Sequence, residues 1–191
     1  LVIRGGETVV GFCAVDGAAV GQQLYGRVAA RLHEAGSAVG GKNMLLSATG
    51  QHTAPLRHTL RGVANEVFFG DFDGTAADTV AEVVVEAITS AEAALAPGQV
   101  RMGEAEAPTH HATREGCSAA PDSTVSVLCA ERPDGTPVGY LVNYAIMPPV
   151  AMGDAPRAGR GIPGAVAARL RTAAGSDVPV LFVNGAAGDV V

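Results

Sequence analysis

The sequence predicts an α/β protein, a mixed β-sheet flanked by helices. Three observations carry that prediction. Short apolar runs bounded by Gly, Asp and Asn alternate with longer stretches whose apolar residues recur at helical spacing. Two apolar runs are joined by Pro133-Asp134-Gly135, a hairpin signal that brings antiparallel pairing into the sheet. The 25 glycines and 4% aromatics in 191 residues require tight turns and a core of Ala, Val, Leu and Ile.

Thr8 to Val15 reads as a strand that ends at Asp16-Gly17. A helix follows over about Ala18 to Ala35, with Val20, Leu24, Val28 and Leu32 on one face and Gly36 as its stop. Lys42 to Thr49 is a second strand, running into Gly50-Gln51-His52-Thr53-Ala54-Pro55. Leu56 to Gly70 has no decisive pattern. A long helix spans about Thr75 to Leu95, with Val80, Val84, Ala87 and Ile88 facing one way and Ala96-Pro97-Gly98 ending it. Gln99 to Ala105 alternates as a strand, and residues 107–122 form a polar loop. Ser123–Glu131 and Val138–Ala145 are the two arms of the hairpin. Met147 to Gly161 is a Pro/Gly loop, Pro163 to Ala174 a helix with Pro in its first turn, and Val178 to Val183 a final buried strand. No internal repeat and no linker divides the chain, so residues 1–191 read as one domain.

The composition excludes several function classes. A hydrophobic fraction of 48% and a mean hydropathy of +0.25 exclude a disordered chain. A net charge of −6 without a basic patch argues against nucleic-acid binding. No apolar run reaches the roughly 18 residues of a membrane span. Cys13, Cys117 and Cys129 form no CxxC, which points to packing thiols in a reducing, cytoplasmic compartment. The chain opens Leu1-Val2-Ile3 and stops two residues after Asp189, straight after a strand. This is the expectation for one half of a split fold.

Three buried strands run into small-residue loops bearing a polar side chain, and such loops converge on shared pockets. They are Ser47 to Pro55, Asn143 to Pro149, and Asn184 to Asp189. These segments resemble the N-terminal catalytic region of the neutral/alkaline (non-lysosomal) ceramidase family. Ser47 to Pro55 is similar to the family's Ser-Ala-Thr-His-Thr-His-Ser-Gly-Pro, and Leu141 to Pro149 to its Leu-Val-Asn-Phe-Ala-Cys-His-Pro-Thr. Gly185 to Val190 is similar to its Gly-Ala-Ala-Gly-Asp-Val. The helix and strand of Ala87 to Gly103 and the hairpin of Asp122 to Asp134 resemble the intervening elements.

The departures change what the resemblance implies. The first His of the family's His-x-His, a zinc ligand, is Gly50 here, and the His before Pro, a second ligand, is Met147. The family's remaining ligands lie in its later half. Its nucleophilic Ser falls on Val191. The resemblance therefore implies no metal, no other cofactor and no ceramide hydrolysis by the family mechanism, because hydrolytic zinc needs about three N/O ligands. It leaves His52 and Asp189 as catalytic residues, with Arg114, His111, Asn143, Gln51 and Met147 binding substrate. A neutral His serves as a general base, and an Arg grips a carboxylate, sulfate or phosphate with two hydrogen bonds.

Each residue has a plainer alternative. His52 is either a base or a loop cap, and the motif around it favours the base. Asn143 and Asp189 are at least as well explained as ties between loop backbones. Arg114 suits a solvated loop. His110 and His111 point to opposite faces of an extended segment. His33 and His58 have no motif context. Gly159 to Gly164, with Arg157 and Arg160, is a weak anion-site signal at a helix N-terminus.

The expected partners are a second polypeptide that completes the fold and a small-molecule substrate, with neither nucleic acid nor membrane. Together with an actinobacterial-type composition, the resemblance implies a metal-independent subunit recruited to natural-product biosynthesis. One form is antibiotic-pathway cyclisation, in which an amine attacks intramolecularly and expels an anion such as sulfate to give an aziridine. Two alternatives stand beside it: an N-acyl amide hydrolase with a rearranged metal site, and a non-catalytic scaffold in a heteromer.

Overall fold

Strands β1 (Val2–Gly5) and β2 (Thr8–Val15) form a tight antiparallel hairpin in which Gly6 takes the turn at φ 60°. The computed structural model describes residues 1–52, 67, 70–108, 113, 115–116, 120–146, 161–188 and 190. Helix α1 (Gln22–Glu34) follows, then β3 (Met44–Ala48), helix α2 (Gly74–Ala93) and β4 (Gln99–Glu106). The hairpin of β5 (Thr124–Glu131) and β6 (Pro137–Tyr144), helix α3 (Gly161–Ala174) and β7 (Val180–Asn184) complete the order. Two mixed sheets result: β1-β2-β3, whose second pairing is parallel, and β4-β5-β6-β7, whose last pairing is parallel. The chain divides into two compact units, Leu1–Ala48 with Ala54–Leu95, and Thr49–Thr53 with Ala96–Val191.

In the first unit, the three-stranded sheet is covered by α1 and α2. The expected face of α1 is buried: Leu24, Val28 and Leu32 have no exposed surface. On α2 the buried row is Ala77, Ala81, Val84 and Ile88. Val80 is half-buried and Ala87, expected on this face, is exposed. The row at i, i+4, i+7 and i+11 follows the 3.6-residue period, which Ala87 misses by one position. Ala77 and Ala81 are small, so the two helices approach closely. Asp78 then accepts from Arg27 Nε at 3.0 Å and Arg31 Nη2 at 2.8 Å, two residues one turn apart on α1. Exposed ion pairs contribute about 0.2–1 kcal/mol each, and burying one Leu or Val about 1.5–3 kcal/mol. The apolar row therefore drives the packing, and the arginines set its register.

Asp73 caps α2 by accepting from the Ala76 amide at 2.9 Å. The Ser37-Ala38-Val39 connection is fastened to the other end of α2. Ser37 Oγ donates to Glu92 Oε2 at 2.6 Å and the Ala38 amide to Glu92 Oε1 at 2.9 Å. This places Val39, fully buried, against the middle of β2. A Cβ at Gly11 would lie 2.5 Å from Val39 Cγ1, so a side chain there forces Val39 or the strand to shift.

In the second unit, Val142, Tyr144, Ile146 and Phe182 form a buried cluster with Ile162, Val166 and Leu170 of α3. Val125, Val127 and Val180 share this face of the sheet. The β5–β6 turn is as expected from Pro133-Asp134-Gly135: Gly135 sits at φ 85°, and Asp134 Oδ1 accepts from the Thr136 amide at 2.9 Å. Among the described residues, no helix is long and apolar enough to cross a membrane.

Two outcomes follow from the first unit. Gly11→Ala lowers stability by about 1–3 kcal/mol through overpacking, and Gly11→Ala/Val39→Ala recovers part of the loss in chemical denaturation. Ser37 and Ala38 hold the Glu92 carboxyl below its ordinary range. A depressed folded value means that this stabilisation is present above the unfolded value, about 4.3, and is lost as pH falls through the folded one. Thermal melts of Glu92→Gln fall less steeply with pH below about 4 than those of the parent.

Candidate functional site

The site is built where two parallel strands end together. Tyr144 of β6 pairs with Asn184 of β7, and one further bond, from the Gly185 amide to Tyr144 O at 3.0 Å, carries the ladder past both strands. Asn184 Oδ1 accepts from the Ile146 amide at 3.2 Å, which ties the two outgoing loops to each other. Asn143, half-buried, donates from Nδ2 to Val183 O at 3.0 Å. Its amide nitrogen is thus engaged with backbone, the plainer of its two expected roles. Below it, the Tyr144 hydroxyl donates to Ala107 O at 2.9 Å, and burial pushes its phenol above the ordinary range.

Thr49–Thr53, the segment after β3, belongs to the same unit as these loops. Gly50 has φ 77°, a left-handed conformation that glycine adopts without the strain a side chain would bring. Gln51 is buried at 3% exposure and His52 is exposed. Gln51 lies against the first residue of α3: a Cβ on Gly161 would sit 2.7 Å from Gln51 Nε2. Gly161 itself has φ 51°. The start of α3 is thus shaped around the Gln51 side chain. Thr49 is 4% exposed, and its Oγ1 has no hydrogen-bond partner among the described residues.

Of the expected site residues, the structure describes Gln51, His52 and Asn143. His111, Arg114, Met147 and Asp189 lie outside the described residues, as do residues 56–66 of the segment without a decisive pattern. An isolated antiparallel bridge joins Thr113 to Val190, the sequence neighbours of Arg114 and Asp189. Thr49, Gly161 and Asn184 were not singled out as site residues. The signal for Thr49 was its place two residues before Gln51 at a strand end. Gly161 falls within the weak anion-site signal of Gly159 to Gly164, which carries no mark of its contact with Gln51.

A zinc ion of the kind the ceramidase family holds requires three or four N, O or S ligands. Among the described residues, no three His, Cys, Asp or Glu side chains gather. The first ligand position is Gly50, in a backbone conformation that favours glycine. The described residues do not fit that ion. They offer an exposed imidazole able to take a proton, and strand-end amides spoken for by backbone.

No family model matches the chain, and no curated protein matches it. Two solved structures are similar over nearly its whole length. One is a ceramidase complexed with C2, with TM-score 0.85 and 18% identity, matched over 99% of this chain and 32% of its own. The other is the neutral ceramidase from Pseudomonas aeruginosa, with TM-score 0.84 and 19% identity, over 98% of this chain and 31% of its own. The fold is ceramidase-like, and the chain spans about a third of the length of the ceramidases it matches.

The Gln51–Gly161 contact gives a direct test. Gly161→Ala adds a Cβ where the Gln51 amide sits and strains a left-handed backbone, lowering stability by about 1–3 kcal/mol. Gln51→Ala in that background recovers only the contact part, read by denaturant midpoints.

Proposed function

We propose that this chain is a ceramidase-like subunit of a metal-independent enzyme that acts on a small amine, completed by a second polypeptide. The single observation that carries this reading is the strand-end site on a ceramidase-like fold whose first expected zinc-ligand position is Gly50. In the favoured reaction, the substrate carries an amine beside a carbon bearing a sulfate ester. The amine nitrogen forms a bond to that carbon, the carbon–oxygen bond breaks, and sulfate leaves with the bond's electrons. The proton lost by nitrogen goes to the His52 imidazole, whose exposure leaves it open to a substrate. Arg114 and His111 would bind the departing anion, with Asp189 orienting the base and Gln51, Asn143 and Met147 shaping the pocket. The product is an aziridine, which suits a place in natural-product biosynthesis.

The likeness to ceramidase structures favours a second reading, hydrolysis of an N-acyl amide. The third, a non-catalytic scaffold, is an outcome of the same test.

Co-expression with the genomic neighbours, followed by native mass spectrometry, gives the partner mass and any bound metal. The purified complex is then assayed for sulfate release from 2-aminoalkyl sulfate esters. The expected result is turnover that survives chelator. His52→Ala lowers it by about 10²–10⁴-fold, the range for loss of a general base, with the mass of the complex unchanged. Turnover intact in His52→Ala removes His52 as the base. Hydrolysis of N-acyl substrates without sulfate release replaces the cyclisation reading with the amidase one. Inertness to every substitution at 47–55 leaves the scaffold.

A further inference from the structure

We propose that the outer edge of β4 is the docking edge for the second polypeptide, which adds a strand there with apolar residues facing Val100 and Met102 and basic residues facing Glu104 and Glu106. This rests on the two-chain reading above and deepens it by naming the surface. Strand β4 lies at the end of its sheet and pairs with β5 over its full length without a register shift. All eight of its residues are exposed, with Val100 at 43% and Met102 at 77%.

Proteins usually blunt such an edge with shortness, proline, a bulge or lysine. Strand β4 is full length and has neither proline nor bulge. Its charges are Arg101, on the other face, and Glu104 and Glu106, which protect only its second half and leave the edge at Val100 and Met102 without charge. The bond from the Ala107 amide to Ser123 O at 2.9 Å fixes the phase of the antiparallel ladder. Residues 99, 101, 103 and 105 therefore bond to β5, and Val100, Met102, Glu104 and Glu106 present their N–H and C=O groups outward. The outward row is divided: apolar at its start, acidic at its end.

That division selects the occupant. A second copy of this chain adding antiparallel about Gly103 would set Met102 against Glu104 and Val100 against Glu106. Centring the two-fold on Glu104 would set like charges against each other, which is destabilising. Centring it on Arg101 would pair Val100 with Met102 but set Glu104 against Gly98 and Glu106 against Ala96, so the acidic end would have no basic partner. A different strand, apolar and then basic, matches the row. The ceramidases that this chain matches extend over about three times its length, so their fold continues beyond it.

The test uses the complex of this chain with its co-expressed genomic neighbour, by hydrogen exchange resolved to single amides. The amides of Val100, Met102, Glu104 and Glu106 are expected to slow at least tenfold on complex formation. Met102→Pro removes one outward donor and no ladder bond. It is expected to weaken assembly at least tenfold while the isolated chain keeps its melting temperature. Val83→Glu, at another exposed apolar position, is expected to leave assembly unchanged. A heteromer whose β4 amides exchange as in the isolated chain overturns the docking edge and leaves the two-chain reading standing. Protection in a homodimer assigns the edge to a second copy and overturns the proposal. If native mass spectrometry finds no heteromer, both fall.

Discussion

Parallel pairing of β6 with β7 is the constraint on which the candidate site depends. Strands that run the same way release their loops at the same end. The pairing of Tyr144 with Asn184 makes this local, because Ala145 and Gly185 start side by side. A Cβ on Gly185 would lie 3.0 Å from Ala145 N, Cα and Cβ, so the approach depends on glycine. Neither strand carries a charged residue. Burial of Val142, Tyr144 and Phe182 drives the pairing, and the amides of Asn143 and Asn184 then steer the loops. Hydrophobic burial has no direction and hydrogen bonds do, so the two contributions divide the work between bringing the strands together and aiming what leaves them.

A similar division operates at 49–53. Adjacent residues in an extended segment point to opposite faces, but which one turns inward depends on the backbone before them. Here the turn comes at Gly50, with φ 77°, and it is followed by Gln51 buried and His52 exposed. The amide of Gln51 goes to the interior, where a neutral polar group is tolerated if hydrogen-bonded, and the imidazole of His52 stays in water. The opposite arrangement would bury a group that charges more readily, at greater cost. Gly50 thus does more than remove a side chain from the position that resembles a metal ligand. It supplies the left-handed turn from which Gln51 and His52 diverge.

Most of the fold was legible because its strands and helices obey simple periods. The Leu24-Val28-Leu32 row, the Pro133-Asp134-Gly135 turn and the Gly36 stop each carry a local cause in the residue type. Strand β1 was not expected, because four residues at a chain end show no period. Its signal was Gly5-Gly6 before the next β-branched run. The burial of Gln51 against Gly161 was not legible at all, since a contact between residues 110 positions apart has no local mark. The ceramidase resemblance was carried by three short motifs at strand ends. At 18–19% identity the likeness extends over nearly the whole chain only as fold, which structural comparison recovers where short motifs do not reach.

The energetics of β4 extend this reasoning from the site to the sheet. Ordering a residue's backbone costs about 1–2 kcal/mol, and a ladder hydrogen bond returns about 0.5–1.5 kcal/mol net. A strand bonded on one side makes such bonds at every second residue's donor and acceptor, so the ladder alone does not offset its ordering. Interior strands close the gap by burying side chains. Strand β4 has no buried residue. What holds it is local: Gln99 Nε2 donates to the buried Glu131 carboxylate at 2.7 Å, and Ser126 Oγ to Glu104 Oε1 at 3.1 Å. These polar ties fasten both ends of the strand to β5 and add little apolar burial. A regular, full-length strand held on such terms gains stability when its outer edge and apolar start are covered.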